Sequence, residues 1–84
     1  MNDQNSNIQD FVEYIVKSIV KNPNDVIIEQ NMNSYDETYI IHVNNEDMGV
    51  VIGKSGKNIN AIRNLVSIKS SPKRIYIQIS ETQE

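Results

Sequence analysis

The sequence predicts an α+β sandwich, in which a three-stranded sheet carries three helices on one face. Two kinds of pattern lead to this fold class. Apolar residues recur at helical spacing in three segments, and short runs rich in β-branched residues occur in three others. These segments follow one another in the order α-β-β-α-α-β, and 84 residues leave room for one domain. We assign the domain to residues 8–80, with polar tails at 1–7 and 81–84.

The first helix is predicted over residues 8–21. Asn22-Pro23 ends it, because proline disfavours the helical conformation in the residue before it. The apolar residues of this segment have the spacing of one helix face: Ile8, Phe11, Val12, Ile15, Val16, Ile19 and Val20.

Two strands are predicted next, over residues 26–30 and 38–43. The first is short and β-branched. The second alternates, so that its two faces carry different residues: Tyr39, Ile41 and Val43 on one, and Thr38, Ile40 and His42 on the other. The polar link at 31–37, NMNSYDE, suits a hairpin loop of more than two residues.

Two further helices are predicted on either side of a glycine-containing loop. Asn44 or Asn45 caps a short helix that ends at Gly53, and the two acidic residues that follow the cap lie near its positive end. The third helix begins after Gly56 and ends at residues 70–72, Ser-Ser-Pro. We expect its apolar face to contain Ile59, Ile62, Leu65, Val66 and Ile68.

The last strand is predicted over residues 74–80 because apolar and polar residues alternate there without a break. The residues expected to face inward are Ile75, Ile77 and Ile79, and those expected to face outward are Arg74, Tyr76, Gln78 and Ser80.

The composition excludes several kinds of site. There is no cysteine, so disulfides and thiolate metal sites are excluded, and the single histidine, His42, has no second histidine with which to bind zinc. No nucleophile, carboxylate pair or metal cluster indicates an enzyme, and we expect neither a cofactor nor a metal. The apolar runs are too short to span a bilayer and the first residues lack the pattern of a secretory signal, so we expect a cytoplasmic protein without membrane contact.

The net charge of −3 hides an uneven distribution. Six of the eight basic residues lie between residues 48 and 80, where none of the eleven acidic residues falls. This basic segment therefore carries +6 and the remainder −9, which predicts a local positive surface on an acidic protein. A chance clustering along the chain is the alternative, because neighbours in sequence need not be neighbours in space.

The triplet Gly53-Lys54-Ser55 resembles the end of a nucleotide-binding P-loop. A P-loop requires its first glycine at position 48, which is Met48, and Gly49 is one residue too close. The residues in between, 50–52, are stiff apolar ones, and the preceding segment is predicted to be helical and not a buried strand. We therefore reject a P-loop.

Residues 53–56, GKSG, also form a G-x-x-G loop between two helices. Two glycines allow a tight turn without side chains that would block a sugar-phosphate backbone, and the amides that open the next helix suit an anion. Lys54 adds a charge at the tip of the loop, and Lys57 and Asn60 share a face of the helix that follows. An ordinary helix-helix turn with solvated lysines is the alternative that the spacing alone leaves open.

The wider segment resembles the type II KH domain. Residues 51–59, VIGKSGKNI, match its V-I-G-x-x-G-x-x-I pattern, and NAIR follows at 60–63. The order α-β-β-α-α-β, the segments IHV and EDMG and the small size are similar to the KhpA family, the single-KH RNA-binding proteins of many bacteria. The resemblance covers roughly residues 8–80 and is strongest across 41–66.

The resemblance implies that single-stranded RNA binds in a groove, with about four nucleotides clamped by the G-x-x-G loop over an apolar floor. By position, Gly53, Lys54, Ser55 and Gly56 form the clamp, Ile52 and Ile59 border the floor, and Lys57, Asn60 and Arg63 flank it. Core packing is an equally good interpretation for Ile52 and Ile59, and pairing with an acidic neighbour is an alternative for Arg63.

Two functional hypotheses follow. The first is an RNA-binding module of low sequence specificity, a small RNA chaperone or post-transcriptional regulator, and the intact GKSG loop favours it. The second is a protein-interaction module that forms a homodimer or docks a larger KH protein of the KhpB kind, as the resemblance also implies. The candidate dimer surface is the third helix, where Leu65 and Ile68 are surplus to the core.

Overall fold

The computed structural model of the chain describes residues 4–32 and 36–82. The main elements are α1 (Gln4–Ile19), β1 (Ile27–Met32), β2 (Glu37–Val43), α2 (Met48–Ile52), α3 (Lys57–Ser70) and β3 (Ile75–Glu81). Three 3-10 turns connect them, at Pro23–Asp25, Asn45–Asp47 and Lys54–Gly56. The predicted order and the α+β class are confirmed.

The three strands form one mixed sheet in the order β1-β2-β3. β1 pairs with β2 in the antiparallel sense, with Ile28 opposite Ile41, and β3 pairs with β2 in the parallel sense, with Ile77 opposite Tyr39. β2 is therefore the central strand, and β3 has one edge that no other strand of the described residues covers. Among the described residues, no helix is both long and apolar enough to cross a membrane.

One core lies between the helices and the sheet. The predicted alternation of β2 is confirmed, since Tyr39, Ile41 and Val43 are fully buried. The other buried apolar side chains come from all three helices, the other strands and Val26: Ile8, Val12, Val16, Val26, Ile28, Val51, Ile59, Ile62, Val66 and Ile77. Ile75 and Ile79 are partly buried and pack against this core, as predicted for the inward face of β3.

The first helix begins and ends earlier than predicted. It starts at Gln4, four residues before the apolar pattern does, because polar residues are tolerated in a first turn. It stops at Ile19 because the next amides have another acceptor. The Lys21 and Asn22 N–H groups donate to the Asp47 carboxylate at 2.9 and 3.0 Å. Proline at 23 is thus not the immediate cause of the helix end.

The strand bounds differ by one or two residues from the prediction. β1 excludes Val26 and extends to Met32, β2 begins one residue early at Glu37, and β3 runs from Ile75 to Glu81. The predicted hairpin link is correspondingly shorter, and residues 33–35 lie outside the described residues. Asn44 is confirmed as a cap, since its side chain accepts from the Glu46 N–H at 2.8 Å, but the element that it caps is the 3-10 turn before α2.

Three of the five residues of the predicted apolar face of α3 are buried. Ile59, Ile62 and Val66 are buried, as expected. Leu65 is 46% exposed and Ile68 75% exposed, so these two residues of the predicted apolar face lie outside the core, in agreement with the expectation that they are surplus to it. Positions 59, 62 and 66 already give one residue per turn toward the sheet, and a helix this short has no room to bury its flanks as well.

Candidate nucleic-acid interface

The GKSG loop turns the chain between α2 and α3, and three of its four residues have a positive φ. Gly53 has φ 79° and ψ 167°, Ser55 has φ 57°, and Gly56 has φ 76°. Two backbone hydrogen bonds close the turn: the Gly53 N–H donates to the Gly49 carbonyl at 2.8 Å, and the Gly56 N–H donates to the Gly53 carbonyl at 3.0 Å. Positive φ is open to glycine and strained for other residues, so this geometry explains both glycines.

Gly53 is required for a second reason, the close approach of α3. A Cβ at Gly53 would lie 2.8 Å from the backbone nitrogen of Asn58 and 2.7 Å from its Cγ. The Asn58 side chain in turn donates to the Val50 carbonyl at 2.7 Å, one of the terminal carbonyls of α2. Asn58 thus locks the two helices across the loop. No motif in the sequence marks Asn58, although an amide next to a G-x-x-G turn has the right chemistry for this contact.

Gly56 differs from Gly53 because space is open around it. The nearest atom to a Cβ added at Gly56 would be the side-chain nitrogen Nδ2 of Asn60, at 3.6 Å. Its left-handed backbone directly precedes Lys57, where α3 begins. The first amides of α3 are therefore approached without obstruction from the loop, which is the arrangement in which a helix N-terminus receives a phosphate.

The polar side chains of the loop are unengaged. Lys54, Ser55 and Lys57 are exposed. Within residues 4–32 and 36–82, the ion pairs are Lys17–Glu13, His42–Glu29 and Lys73–Glu37, and neither Lys54 nor Lys57 takes part in one. Two cations thus stand at the tip and the exit of the turn with no carboxylate to neutralise them.

The two isoleucines predicted to border an apolar floor are placed differently. Ile59 is 5% exposed and belongs to the core, so its side chain supports the loop from beneath. Ile52 is partly buried and packs against the same core while keeping some surface beside Gly53. Of the two, Ile52 is the one with apolar surface available at the loop.

The Arg63 side chain reaches from α3 to the free edge of β3. Its Nε and Nη2 donate to the Ile77 carbonyl at 3.3 and 3.1 Å, and Nη1 donates to Asn60 Oδ1 at 3.1 Å. The alternative predicted for Arg63, pairing with an acidic neighbour, is not found, because its partners are a backbone carbonyl and an amide oxygen. A guanidinium has five N–H donors, so these three bonds orient the group and leave two donors for a ligand.

A groove of about 630 Å³ follows the free edge of β3 beside α3. Arg63, Asn64 and Ser67 line it from the helix, and residues 75–78 line it from the strand. Thr38, which faces away from the helices, also contributes, so the groove opens onto the outer face of the sheet. Apart from Arg63, none of these lining residues was predicted as a site residue from the sequence, because which residues line the groove depends on how α3 packs against β3.

The positive segment divides into two groups in space. Lys54, Lys57 and Arg63 belong to the loop and groove, whereas Lys73 lies 2.8 Å from Oε1 of Glu37 at the start of β2. Glu37 is 2% exposed, and its Oε1 receives no hydrogen bond from any other described residue. Lys73 is therefore committed to neutralising a buried carboxylate, and the +6 of the sequence overstates the charge open to a ligand.

A second buried carboxylate, Asp47, holds the base of α2. Oδ1 accepts from the Lys21 N–H, and Oδ2 accepts from the backbone and side-chain amides of Asn22 at 3.0 Å each. Burial by itself raises the pKa of Asp47, but the hydrogen bonds from Lys21 and Asn22 outweigh it, so the pKa lies below its usual value. Asp47 thus ties the end of α1 to the helix that leads into the GKSG loop.

Nothing in the described ranges 4–32 and 36–82 suggests a metal centre, since they contain no group of three or more His, Cys, Asp or Glu side chains placed to hold an ion. His42 Nε2 is 2.8 Å from Glu29 Oε1 on the outer face of the sheet. This pair bridges β1 and β2, which is a structural contact.

Comparisons with known proteins agree with this geometry. The family described as KhpA/KhpB, KH domain matches residues 9–79. The RNA-binding protein KhpA of Listeria monocytogenes is 40% identical over 76 residues, covering 88% of this chain and 100% of its own length. The RNA-binding protein KhpA of Mycobacterium tuberculosis is 38% identical over 60 residues, 71% of this chain and 75% of its own. That of Leifsonia xyli is 35% identical over 66 residues, 79% and 87%.

Proposed function

The chain belongs to the KhpA/KhpB KH-domain family, and from this premise we propose that it binds single-stranded RNA along the GKSG loop and the groove beside β3. The relatives that cover most of the chain are named RNA-binding proteins. The observation that carries the proposal is the loop itself, with its two glycines at positive φ and two unpaired lysines beside the first turn of a helix. We further propose that the protein acts in the cytoplasm without enzymatic activity.

In this proposal the sugar-phosphate backbone lies on the GKSG loop. The open space at Gly56 lets a phosphate reach the amides at the start of α3, while Lys54 and Lys57 approach it from the sides. Lysine suits this role because a phosphate contact needs a charge more than a fixed geometry. The contact carries no sequence information, since every nucleotide has the same phosphate.

The groove beside β3 receives the bases. Arg63 stands over its floor with two donors free, held in place by the Ile77 carbonyl and Asn60. Asn64 and Ser67 add polar groups from the next turns of α3. These few groups favour modest base preference, which suits a small RNA chaperone or a post-transcriptional regulator of low sequence specificity.

The experiment replaces Lys54 and Ser55 together by aspartate. Both side chains are exposed, so the free energy of unfolding should stay within about 0.5 kcal/mol of the parent. Two carboxylates facing a phosphate should weaken RNA binding by at least a hundredfold, because like charges repel across a short gap. A control for charge, Lys17→Asp with Ser18→Asp on α1, makes the same charge change outside the loop and groove; because it also removes the Lys17–Glu13 ion pair, its RNA affinity and not its stability is compared. Equal RNA affinity for the loop variant and the parent would refute the clamp.

A second candidate function is protein association, and the exposed apolar residues of α3 favour it. Leu65 and Ile68 lie on the side of α3 that the core does not use, and Lys69 on the same helix covers the Phe11 ring of α1 at 5.4 Å. We propose this surface for a homodimer or for a larger KhpB-like KH protein. Sedimentation should show a dimer that Leu65→Gln with Ile68→Gln abolishes. A parent that stays monomeric at high micromolar concentration refutes the homodimer.

A further inference from the structure

The groove ends at an aromatic side chain that the clamp does not use. Tyr76 faces outward on β3, is 42% exposed and lines the groove together with Thr38 and Gln78. The rise of α3 places Ser67, its last groove residue, about 15 Å along the helix from Lys57. Tyr76 lies beside this distant end because it is near the start of β3, which follows α3 after a short link. The far end of the groove is thus well separated from the GKSG loop.

A cation accompanies this ring. Arg74 is exposed, directly precedes β3 and is two residues before Tyr76 in the chain. The neighbouring Tyr76 side chain is the main influence that raises the pKa of the guanidinium, with a smaller contribution from the charge of Asp36. Unlike its neighbour Lys73, Arg74 takes no part in the ion pairs found within the described ranges.

We propose that Tyr76 and Arg74 form a second nucleic-acid contact at the far end of the groove, where a base stacks on the Tyr76 ring and Arg74 holds an adjacent phosphate. The inference rests on the proposed function and lengthens its RNA track beyond the nucleotides clamped at the loop. In this arrangement the RNA strand passes over the free edge of β3 onto the outer face of the sheet.

The chemistry of the site favours a nucleotide over a peptide. A half-exposed ring beside a guanidinium offers stacking and charge together, and both partners are present in each nucleotide of a single strand. The surroundings are polar, since Thr38 and Gln78 flank the ring. The two isoleucines on either side of Tyr76, Ile75 and Ile77, pack toward the core and offer little of the apolar surface that a docked helix needs.

The test measures the affinity of the full chain for single-stranded RNA of four and of eight nucleotides. Four nucleotides fill the clamp and eight reach the far end. Tyr76→Thr, which keeps a strand-forming residue, should weaken binding of the eight-nucleotide RNA about tenfold and leave the four-nucleotide affinity unchanged. Tyr76→Phe should retain the parent affinity, because the ring and not the hydroxyl stacks. Tyr14→Gln, at an exposed tyrosine on α1, is the matched control.

A second readout reports stacking directly. RNA of eight nucleotides with 2-aminopurine at one terminus or at the other should show fluorescence quenching by the parent at one terminus only. Tyr76→Thr should abolish that quenching and Arg74→Gln should reduce it.

The outcomes separate this inference from the proposed function. If the parent binds both RNAs and Tyr76→Thr changes neither affinity, the second contact is refuted while the clamp stands. If Tyr76→Thr weakens both RNAs equally, Tyr76 belongs to the clamp and the second contact is again refuted. If the parent binds neither RNA, the proposed function fails, and this inference fails with it.

Discussion

Two ends of the molecule use the same residue types for different purposes. The loop end, residues 47–58, has a buried aspartate held by amides and two lysines open to solvent. The hairpin end, formed by residues 30, 36–39 and 73–76, has a buried glutamate whose Oε1 is paired with a lysine. About 21 Å of α3 separates them.

The difference lies in what neutralises the buried carboxylate. Asp47 accepts three N–H groups of Lys21 and Asn22, so no cation is consumed at the loop end. Glu37 Oε2 accepts from the Gln30 amide at 3.2 Å, but its Oε1 depends on Lys73. A lysine therefore becomes available for a ligand only where the nearby acid has other partners, and its position in a basic segment does not decide this.

The sharpest test makes the same substitution at both ends. Lys73→Met leaves Glu37 buried without its cation and should lower the free energy of unfolding by about 2 kcal/mol. Lys54→Met, at an exposed and unpaired lysine, should leave stability within about 0.5 kcal/mol and weaken RNA binding instead. Chemical denaturation and RNA titration of both variants measure the two effects.

A control variant shows whether the Lys73 effect comes from the ion pair. Glu37→Gln combined with Lys73→Met removes both charges and should recover part of the lost stability. No recovery, or an equal loss of stability in Lys54→Met, would break the distinction between the two ends.

The loop end can be divided further by its glycines. Gly53→Ala should lower stability by about 2 kcal/mol, because its φ of 79° is strained for alanine and its Cβ would meet the Asn58 backbone at 2.8 Å. Gly49→Ala, on α2 with no atom within 4 Å of the added Cβ, should raise stability by about 0.5–1 kcal/mol. Opposite shifts in melting temperature are expected, and equal shifts would contradict the loop geometry.

Acidification should loosen the loop end through Asp47. Because its folded pKa is lower than the ordinary value of 3.8, its contribution to stability is complete above about pH 4 and is lost as the pH falls toward the lower folded pKa. Asp47→Asn should melt below the parent at pH 7, and the gap should narrow between pH 4 and pH 2. Asp10→Asn, at an exposed position of α1, is the control. A gap that stays constant with pH would refute this role.

The smallest expected effect is on the salt dependence of RNA binding. With Lys54, Lys57 and Arg74 as the cations placed at phosphates, three phosphate contacts give a slope of about −2.1 in log K against log salt. Lys54→Met should reduce the magnitude of the slope by about 0.7, and Lys73→Met should leave it unchanged. RNA titrations at several salt concentrations measure these slopes. A reduced slope for Lys73→Met would show that the Lys73–Glu37 ion pair opens and that Lys73 binds RNA.

Local features of the chain were predictable from the sequence alone. The order of the elements follows from apolar periodicity, and the G-x-x-G turn follows from two glycines that each adopt positive φ in the structure. The buried face of β2 also follows, because side chains of a strand alternate whatever the strand packs against. These properties depend on residues within a few positions of one another.

Contacts between distant residues were decided by the tertiary structure. Lys21 and Asp47 are 26 residues apart, yet their hydrogen bond ends α1 before the proline does. Arg63 has the Ile77 carbonyl for a partner, and Lys73 has Glu37, so one of the six basic residues of the segment is neutralised by a buried carboxylate. Spacing along the sequence does not predict such pairs. The energy of a buried charge depends on the groups that lie within about 3 Å of it, and the packing of the whole chain decides which groups those are.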